Sequence, residues 1–346
     1  MAKNKVTLKE MADILEVSIA TISKALHDSE DISDAMVKKV KKLADELGYR
    51  PNRLAKGLIS DNSYLIGAII PDLRISFFSE AARGIYEQAR KHGYQAILMV
   101  NDEDPDTERE NIEFLSDIKI DGLLLNPTPG RQNYALYQQV SEEGIPIVCW
   151  DRKLDELGYS AVTIDDYQAA RRLTNKLIQK GRQDILFIGP NSGFSVAEER
   201  FQGYCDAMKE NGNPVNIEND CILADVKAEA CYKGMKSYLV EKGHDFDAIL
   251  CLGGMVAYGA GHAILEEGLT IPQDVMLAEF GDNDIVSQLG VSFYTIEQNP
   301  YDIGKTSLDL LVDKINTKDR ENNPEHIIID TKLIHHQVGK PFFKSV

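Results

Sequence analysis

The sequence predicts an α/β protein: a small head of three short helices, then a larger core of two subdomains with parallel sheets. Three observations lead there. Residues 1–50 repeat apolar side chains at helical spacing, with a capping residue before each run. From Tyr64 on, short and nearly uninterrupted apolar strands alternate with amphipathic stretches, and this alternation starts again after Ile164. Strands that are apolar throughout must be covered on both faces, as in parallel sheets flanked by helices. A length of 346 residues also exceeds the size at which one hydrophobic core keeps growing, so two or three domains are expected.

The head begins with "TLKE", Thr7 to Glu10, a capping box in which a Thr oxygen takes an orphan backbone N–H and Glu10 reaches back. Leu8, Met11, Ala12 and Leu15 follow at helical spacing. Ser18 caps a second helix whose apolar side is Val17, Ile22 and Leu26. Its other positions, Ser18, Ala20, Thr21, Ser23 and Lys24, are small, hydroxylic or cationic, which is no way to build a buried face. A third helix starts at Ser33, packs Met36, Val37, Val40, Leu43, Ala44 and Leu47, and ends at Gly48. In the connector "YRPNRLAKGLISDNSY", Pro51 breaks that helix, and Gly57 weakens any helix by about 1 kcal/mol relative to Ala. A segment with helical potential but marginal stability suits a conditional hinge.

In the core, "LIGAII", "QAILMV", "DGLLLN" and "IPIVCWD" read as the first set of strands, and "DILFIGP", "CILAD", "AILCLGG" and "VMLAEFGD" as the second. "FYTIEQN" and "HIIIDTKLIHH" break the regular spacing and read as crossings between the two halves. Ligands of such sheets sit at the carboxyl ends of strands, so a cleft between the halves is the default site.

Composition excludes several classes. An apolar content of 43% with 27% charged residues is that of a globular chain, and no run reaches the roughly 18–20 apolar residues that span a bilayer. "MAKNKVTLKE" has no apolar stretch of the secretory type, and the five scattered cysteines never pair as CxxC, so a cytoplasmic protein with reduced thiols is expected. The net charge of −17 is uneven: Met1 to Ser60 carries 11 basic against 9 acidic groups, and the remainder 27 against 46. An anionic partner would therefore meet the head alone. "GGMVAYGAG" fits neither GxGxxG nor GxxxxGK[ST], GxSxG and HExxH are absent, and His335–His336 lack a companion ligand set. No enzyme, cofactor or metal is expected.

The stretch from "VTLKEMADILEVSIATISKALHDSEDISD" through "RPNRLAKGL" resembles the headpiece and hinge of the lactose-repressor (LacI/GalR) family of bacterial transcription regulators. "DRKLDELGYSAVTIDDYQAA", "ERFQGY" and "TIEQNPYDIGKTSLDLL" resemble the family's core, which is similar to periplasmic sugar-binding proteins. The resemblance implies a helix-turn-helix head at 1–50, a hinge at 51–62 and an effector-binding and dimerisation core at 63–346. Within the core it implies an N-subdomain at about 63–161 plus 295–322, and a C-subdomain at about 162–294 plus 323–346. "SIATISK" would be the recognition helix in a DNA major groove. Ile19, Ala20 and Lys24 would face bases, Thr7, Ser18, Thr21 and Ser23 would meet the backbone, and Tyr49 would also contact DNA. In the hinge, Asn52, Arg53 and Lys56 would meet phosphates or groove edges, and Leu58 would wedge between base pairs of the minor groove. Glu16 stands where a turn Gly or Asn is usual, and Gly57 where Ser is usual before Leu58.

For the cleft, the resemblance implies Ser76, Phe77, Phe78, Asp151, Arg152 and Arg200 as effector contacts. Three departures stand out. Ile75–Ser76 replaces Asn-Pro, Gly253–Gly254 replaces a common Asn-Asp pair, and Gly281 replaces an Asp, leaving Asp282 one residue later as a possible substitute. The expected function is a repressor that binds a palindromic operator as a homodimer and is controlled by a sugar-like small molecule, without a membrane partner. Family tetramers use a leucine-heptad tail and this chain stops at "GKPFFKSV", so a dimer is expected. The rival reading is a solute-binding protein, cytoplasmic or exported, without a transcriptional role.

Overall fold

A computed structural model describes residues 6–26, 31–49, 62–190, 193–281, 283–317 and 324–338. The chain divides into two compact units, Met1–Ser63 and Tyr64–Val346. In the first unit, helices α1 (Leu8–Leu15), α2 (Ile19–Leu26) and α3 (Asp34–Leu47) enclose Met11, Ala12, Ile22, Ala25, Val40 and Ala44. The expected capping box forms at Thr7 and Glu10. Ser18 Oγ accepts from the Thr21 backbone N–H at 3.1 Å, which starts α2. Gly48 closes α3 at φ 65.

In the second unit, β1 (Leu65–Ile70), α4 (Ser76–Lys91), β2 (Gln95–Val100), α5 (Pro105–Asp117), β3 (Gly122–Leu125), α6 (Tyr134–Glu142), β4 (Ile147–Trp150) and β5 (Ser160–Thr163) come first. Then follow α7 (Asp166–Gln179), β6 (Ile185–Ile188), α8 (Ser195–Glu210), α9 (Ile217–Asp220), β7 (Cys221–Ile222), α10 (Ala228–Lys242), β8 (Ala248–Cys251), α11 (Gly254–Glu266) and β9 (Met276–Phe280). The remainder is α12 (Asn283–Ser287), β10 (Phe293–Glu297), α13 (Pro300–Thr317), β11 (His326–Ile328) and β12 (Lys332–His336).

One sheet runs β11-β5-β4-β3-β1-β2, parallel throughout. The other runs β12-β10-β9-β8-β6-β7, parallel except for β12, which lies antiparallel on β10. The apolar strands β1, β3, β4, β6 and β8 are buried along nearly their whole length, as their sequences require, while β2, at the edge of its sheet, is only half-buried. His335 and His336 lie on the edge strand β12, stacked on Tyr294 and Phe293.

Subdomain membership departs from the expected bounds. β5 keeps the chain in the first sheet to Thr163, past the expected limit of 161. β10 lies wholly in the second sheet, so the return to the first begins after Glu297 and not at 295. β11 pairs with β5, although 323–346 is expected in the second subdomain. "HIIIDTKLIHH" crosses between the halves as expected, from β11 in the first sheet to β12 in the second, while "FYTIEQN" is mostly strand β10 and precedes the return; the links themselves are only a few residues long. They are bonded to one another: Ile329 N–H donates to Thr163 O at 2.8 Å, and Asn299 Nδ2 to Asp330 O at 2.7 Å.

Glycines set how closely the covering helices approach. A Cβ on Gly304 of α13 would stand 2.0 Å from Ala81 O of α4, and one on Gly84 would stand 2.3 Å from Tyr301 O. Gly203 against α7 and Gly259 against the start of α10 are equally tight, at 2.4 and 2.1 Å from Tyr167 O and Ala228 O. A backbone carbonyl cannot step aside as a side chain does. We predict that Gly304→Ala lowers core stability by about 1–3 kcal/mol, measured by urea unfolding, and an unchanged midpoint would contradict that close contact.

Candidate functional site

The head offers a recognition surface on α2. The turn before it is reached through Glu16 in the left-handed region, φ 55 and ψ 39, where a residue with a Cβ carries some strain. Ile22 and Ala25 are buried, while Ser18, Ile19, Ala20 and Lys24 are exposed and Thr21 and Ser23 are partly so. The large apolar Ile19 stays 48% exposed beside Ala20 and Lys24. Ser18 and Thr21 hydroxyls bond each other at 2.9 Å, and Lys24 Nζ pairs with Asp31 at 2.8 Å. That pairing lowers the Asp31 carboxyl below its usual range. Thr7 is exposed and spent on its cap, and Tyr49 is partly buried against the head core.

The core presents a cleft at the carboxyl ends of its strands. It is lined on one side by Ile75, Phe77, Phe78, Glu103, Asp151 and Arg152, and on the other by Phe194, Val196, Arg200, Val226, Leu252, Gly253, Gly254, Met255, Val256, Phe280 and Gln298. Its free volume is about 120 Å³. Small-molecule pockets usually hold roughly 300–1,000 Å³, so this is a closed state. The lips touch: Gly130 N–H donates to Gly193 O at 3.2 Å, Lys153 Nζ meets Glu199 at 2.7 Å, and the Arg152 guanidinium lies 4.4 Å from the Phe194 ring centre.

Each polar group in the cleft has a defined neighbour. Where β4 leaves its sheet, Asp151 adopts φ 63, which throws Arg152 inward. Asp151 accepts from Asn126 Nδ2 at 3.2 Å, and burial raises its carboxyl pKa above the usual range. Arg152 does not pair with Asp151. It grips Glu103 in a fork at 2.7 and 2.5 Å and donates to Pro127 O at 2.9 Å, leaving its buried Nε unpartnered. Arg200, on α8, donates to Asp166 at 2.7 Å, to Leu252 O at 2.6 Å and to Gln298 Oε1 at 2.8 Å, over the Phe280 ring at 3.9 Å. Burial pushes the Asp166 carboxyl up to about 7 against the pull of Arg200.

Comparison with known proteins assigns both units. A model described as "Bacterial regulatory proteins, lacI family" matches residues 7–52, and "Periplasmic binding proteins and sugar binding domain of LacI family" matches residues 63–337. The chain belongs to the LacI family. It is a DNA-binding transcriptional regulator and not an enzyme. The HTH-type transcriptional regulator KdgR of Bacillus subtilis is 31% identical over 95% of this chain and 96% of its own. Among solved structures, a Lac repressor dimer bound to operator and the anti-inducer ONPF superposes with TM-score 0.83 at 22% identity, covering 97% of this chain and 99% of that one. A complex of the transcriptional regulator CelR with cellobiose gives TM-score 0.73 at 24% identity, covering 97% and 100%. Both structures establish the fold of this LacI-family member. No helix among the described residues is long and apolar enough to cross a membrane.

The cleft brings together Phe77, Phe78, Asp151, Arg152 and Arg200 of the expected residues. Ser76 is the exception. It opens α4 but does not line the cavity, because successive helical positions point about 100° apart and its neighbours Ile75 and Phe77 take the cleft side. Asp282 and the hinge residues Asn52, Arg53, Lys56 and Leu58 lie outside the described residues. Sequence reasoning missed Glu103, Phe194, Phe280 and Gln298. Only the rule that ligands gather just beyond strand ends pointed near them.

Two predictions follow from these pairs. Asp31→Asn should free Lys24 and raise affinity for duplex DNA about two- to fivefold at low salt, read by fluorescence anisotropy; no gain would mean Asp31 does not compete. Asp166 should also give core stability a pH signature. Its folded-state pKa lies above the unfolded value of 3.8, so folding favours its protonated form. Stability from this group is full below about pH 4 and falls as pH rises to about 7. Asp166→Asn should flatten that slope in urea titrations, and an unaltered slope would assign it elsewhere.

Proposed function

We propose that this chain is a repressor that binds a two-fold operator as a homodimer in the cytoplasm, and that a sugar or sugar derivative in the core cleft releases it. The observation that carries the reading is the exposed face of α2. Ser18, Ile19, Ala20, Thr21 and Lys24 leave their helix with small, hydroxylic and cationic groups outward, over an inner side that is already packed. Such a face suits close approach to a groove floor: hydroxyls to phosphates, Lys24 to a base edge, and Ile19 with Ala20 to thymine methyls. Lys24 is a single-point donor where the family more often uses the fork of Arg, so more of the specificity falls to DNA shape. Thr7, Ser23 and Tyr49 complete the backbone contacts, with Asn52, Arg53 and Lys56 of the hinge.

The effector reading rests on the cleft, its aromatic walls and the family's sugar-binding description; CelR, of the same fold, holds cellobiose. Phe77 and Phe78 would cover an apolar ring face while Asp151 accepts a hydroxyl. An effector larger than the closed cleft must shift one subdomain against the other, and the lip contacts are what it would break. In a dimer that shift changes the spacing of the two hinges. Hinges that cannot meet do not fold, Leu58 is not inserted, and the operator is released.

Selection of binding sites from randomised duplexes, with and without sugars, tests the reading and should return a palindrome. Leu58→Ala should then cut affinity for that site by more than about tenfold while salt-sensitive binding to random DNA stays nearly constant. Equal loss on both duplexes would remove the wedge, and recovery of only asymmetric sites would remove the dimer.

A further inference from the structure

Most hydrogen-bonding capacity in the cleft is already spent. Arg200 directs Nε, Nη1 and Nη2 at Asp166, Leu252 O and Gln298, and both Nη atoms of Arg152 are taken by Glu103 and Pro127 O. Arg152 Nε stays unpartnered and Arg200 uses three of its five N–H groups; two further features on the second subdomain are not spent. One is the amide nitrogen of Gln298. Because Arg200 only donates, the amide oxygen of Gln298 must face it, which fixes the amide and turns its NH₂ the other way. That nitrogen lies against Gly281, so near that a Cβ there would stand 2.2 Å from it. Gln298 is only 5% exposed, lines the cavity, and among the described residues gives its N–H groups to no acceptor.

The other is the start of α11. Its N-cap is Gly253, which has no side chain to cap with, and the first N–H bonded back into the helix is that of Ala257, to Gly253 O. The N–H groups of Gly254, Met255 and Val256 are thus left at the positive end of a helix of 13 residues, and all three residues line the same cavity. The two features are neighbours. One guanidinium holds both Leu252 O, just before this helix start, and the Gln298 amide. A Cβ on Gly253 would lie 3.9 Å from Phe280 O, adjacent to Gly281.

We infer that the effector carries an anionic oxygen group, a carboxylate or a phosphate, held between the uncapped N-terminus of α11 and the amide N–H groups of Gln298. Backbone N–H groups at a helix start and a fixed amide donate only, so they match an acceptor without a proton and reject a hydroxyl less able to accept. The absence of side chains at Gly253 and Gly281 is what leaves room there. Across the cleft, Asp151 accepts from a hydroxyl of the same molecule, and the phenylalanines face its ring. This inference rests on the reading of the cleft as the effector site and adds the chemical class of ligand.

Isothermal titration of the full chain with D-glucose, D-glucuronate, D-gluconate and D-glucose 6-phosphate tests it; the last three separate carboxylate from phosphate. At least one of these anions should bind the wild type ten times more tightly than glucose. Gln298→Glu keeps an oxygen toward Arg200 but replaces the donor with a charge, and should remove that advantage. Gly253→Asp should remove it as well. Gly253 has extended backbone, φ −171, and open space around its Cβ, so an Asp there would cap α11 itself and raise the melting temperature while occupying the anion's place. Glucose binding as tightly as the anions, no anion binding at all, or an advantage that survives both variants would each overturn the inference. Gly253→Phe, which fills the cavity, tests the underlying reading separately: any sugar that still binds this variant binds elsewhere, and the cleft is then not the effector site.

Discussion

A guanidinium sealed from water must meet acceptors at nearly every N–H, or its burial is ruinous to the fold. Arg200 meets a carboxylate at the start of α7, a carbonyl at the end of β8, an amide just past β10 and the ring at the end of β9. Those four groups come from separate places in the sequence, and two of them flank links between the subdomains. One side chain therefore fixes where the chain enters the second subdomain relative to where it leaves. The links are also bonded to each other, through Ile329 to Thr163 and Asn299 to Asp330. Relative motion is left to the lips, where Lys153 to Glu199 and Gly130 to Gly193 are more exposed and easier to part.

The head solves a different problem with less material. Among the described residues its core has six buried side chains, and the remaining order comes from helix ends: a capping box, a serine cap, a left-handed Glu16 and a left-handed Gly48. Local bonds substitute for apolar area that so short a segment cannot supply. That economy is what allows one side of α2 to be given over to small and polar groups.

Much of this was legible from residues because the signals are local. Caps sit within four residues of the groups they satisfy, and a strand buried on both faces is apolar from end to end. The helix starts at Thr7, Ser18 and Ser33 and the eight strands named first were readable for that reason, although β7 shrinks to Cys221–Ile222. Segments that carry neither signal were harder. β11 and β12 alternate less cleanly and sit at sheet edges, so the subdomain each joins depends on a partner strand far away in sequence. In the cleft, residues just beyond apolar strands could be anticipated. Glu103 could not, because its place depends on an ion pair spanning 49 residues, and Gln298, though just past β10, takes its orientation from a residue 98 positions away.

Gly253 and Gly281, two of the three glycines that the family resemblance sets at polar positions, differ in their freedom to change. Gly281 is confined twice, by φ 71 and by the amide pressed against it, so almost any replacement there must rebuild its surroundings. Gly253 has an ordinary extended backbone and nothing nearer than 3.9 Å to a would-be side chain. A new side chain can thus be taken on in a single step at Gly253, while one at Gly281 requires Gln298 to change with it.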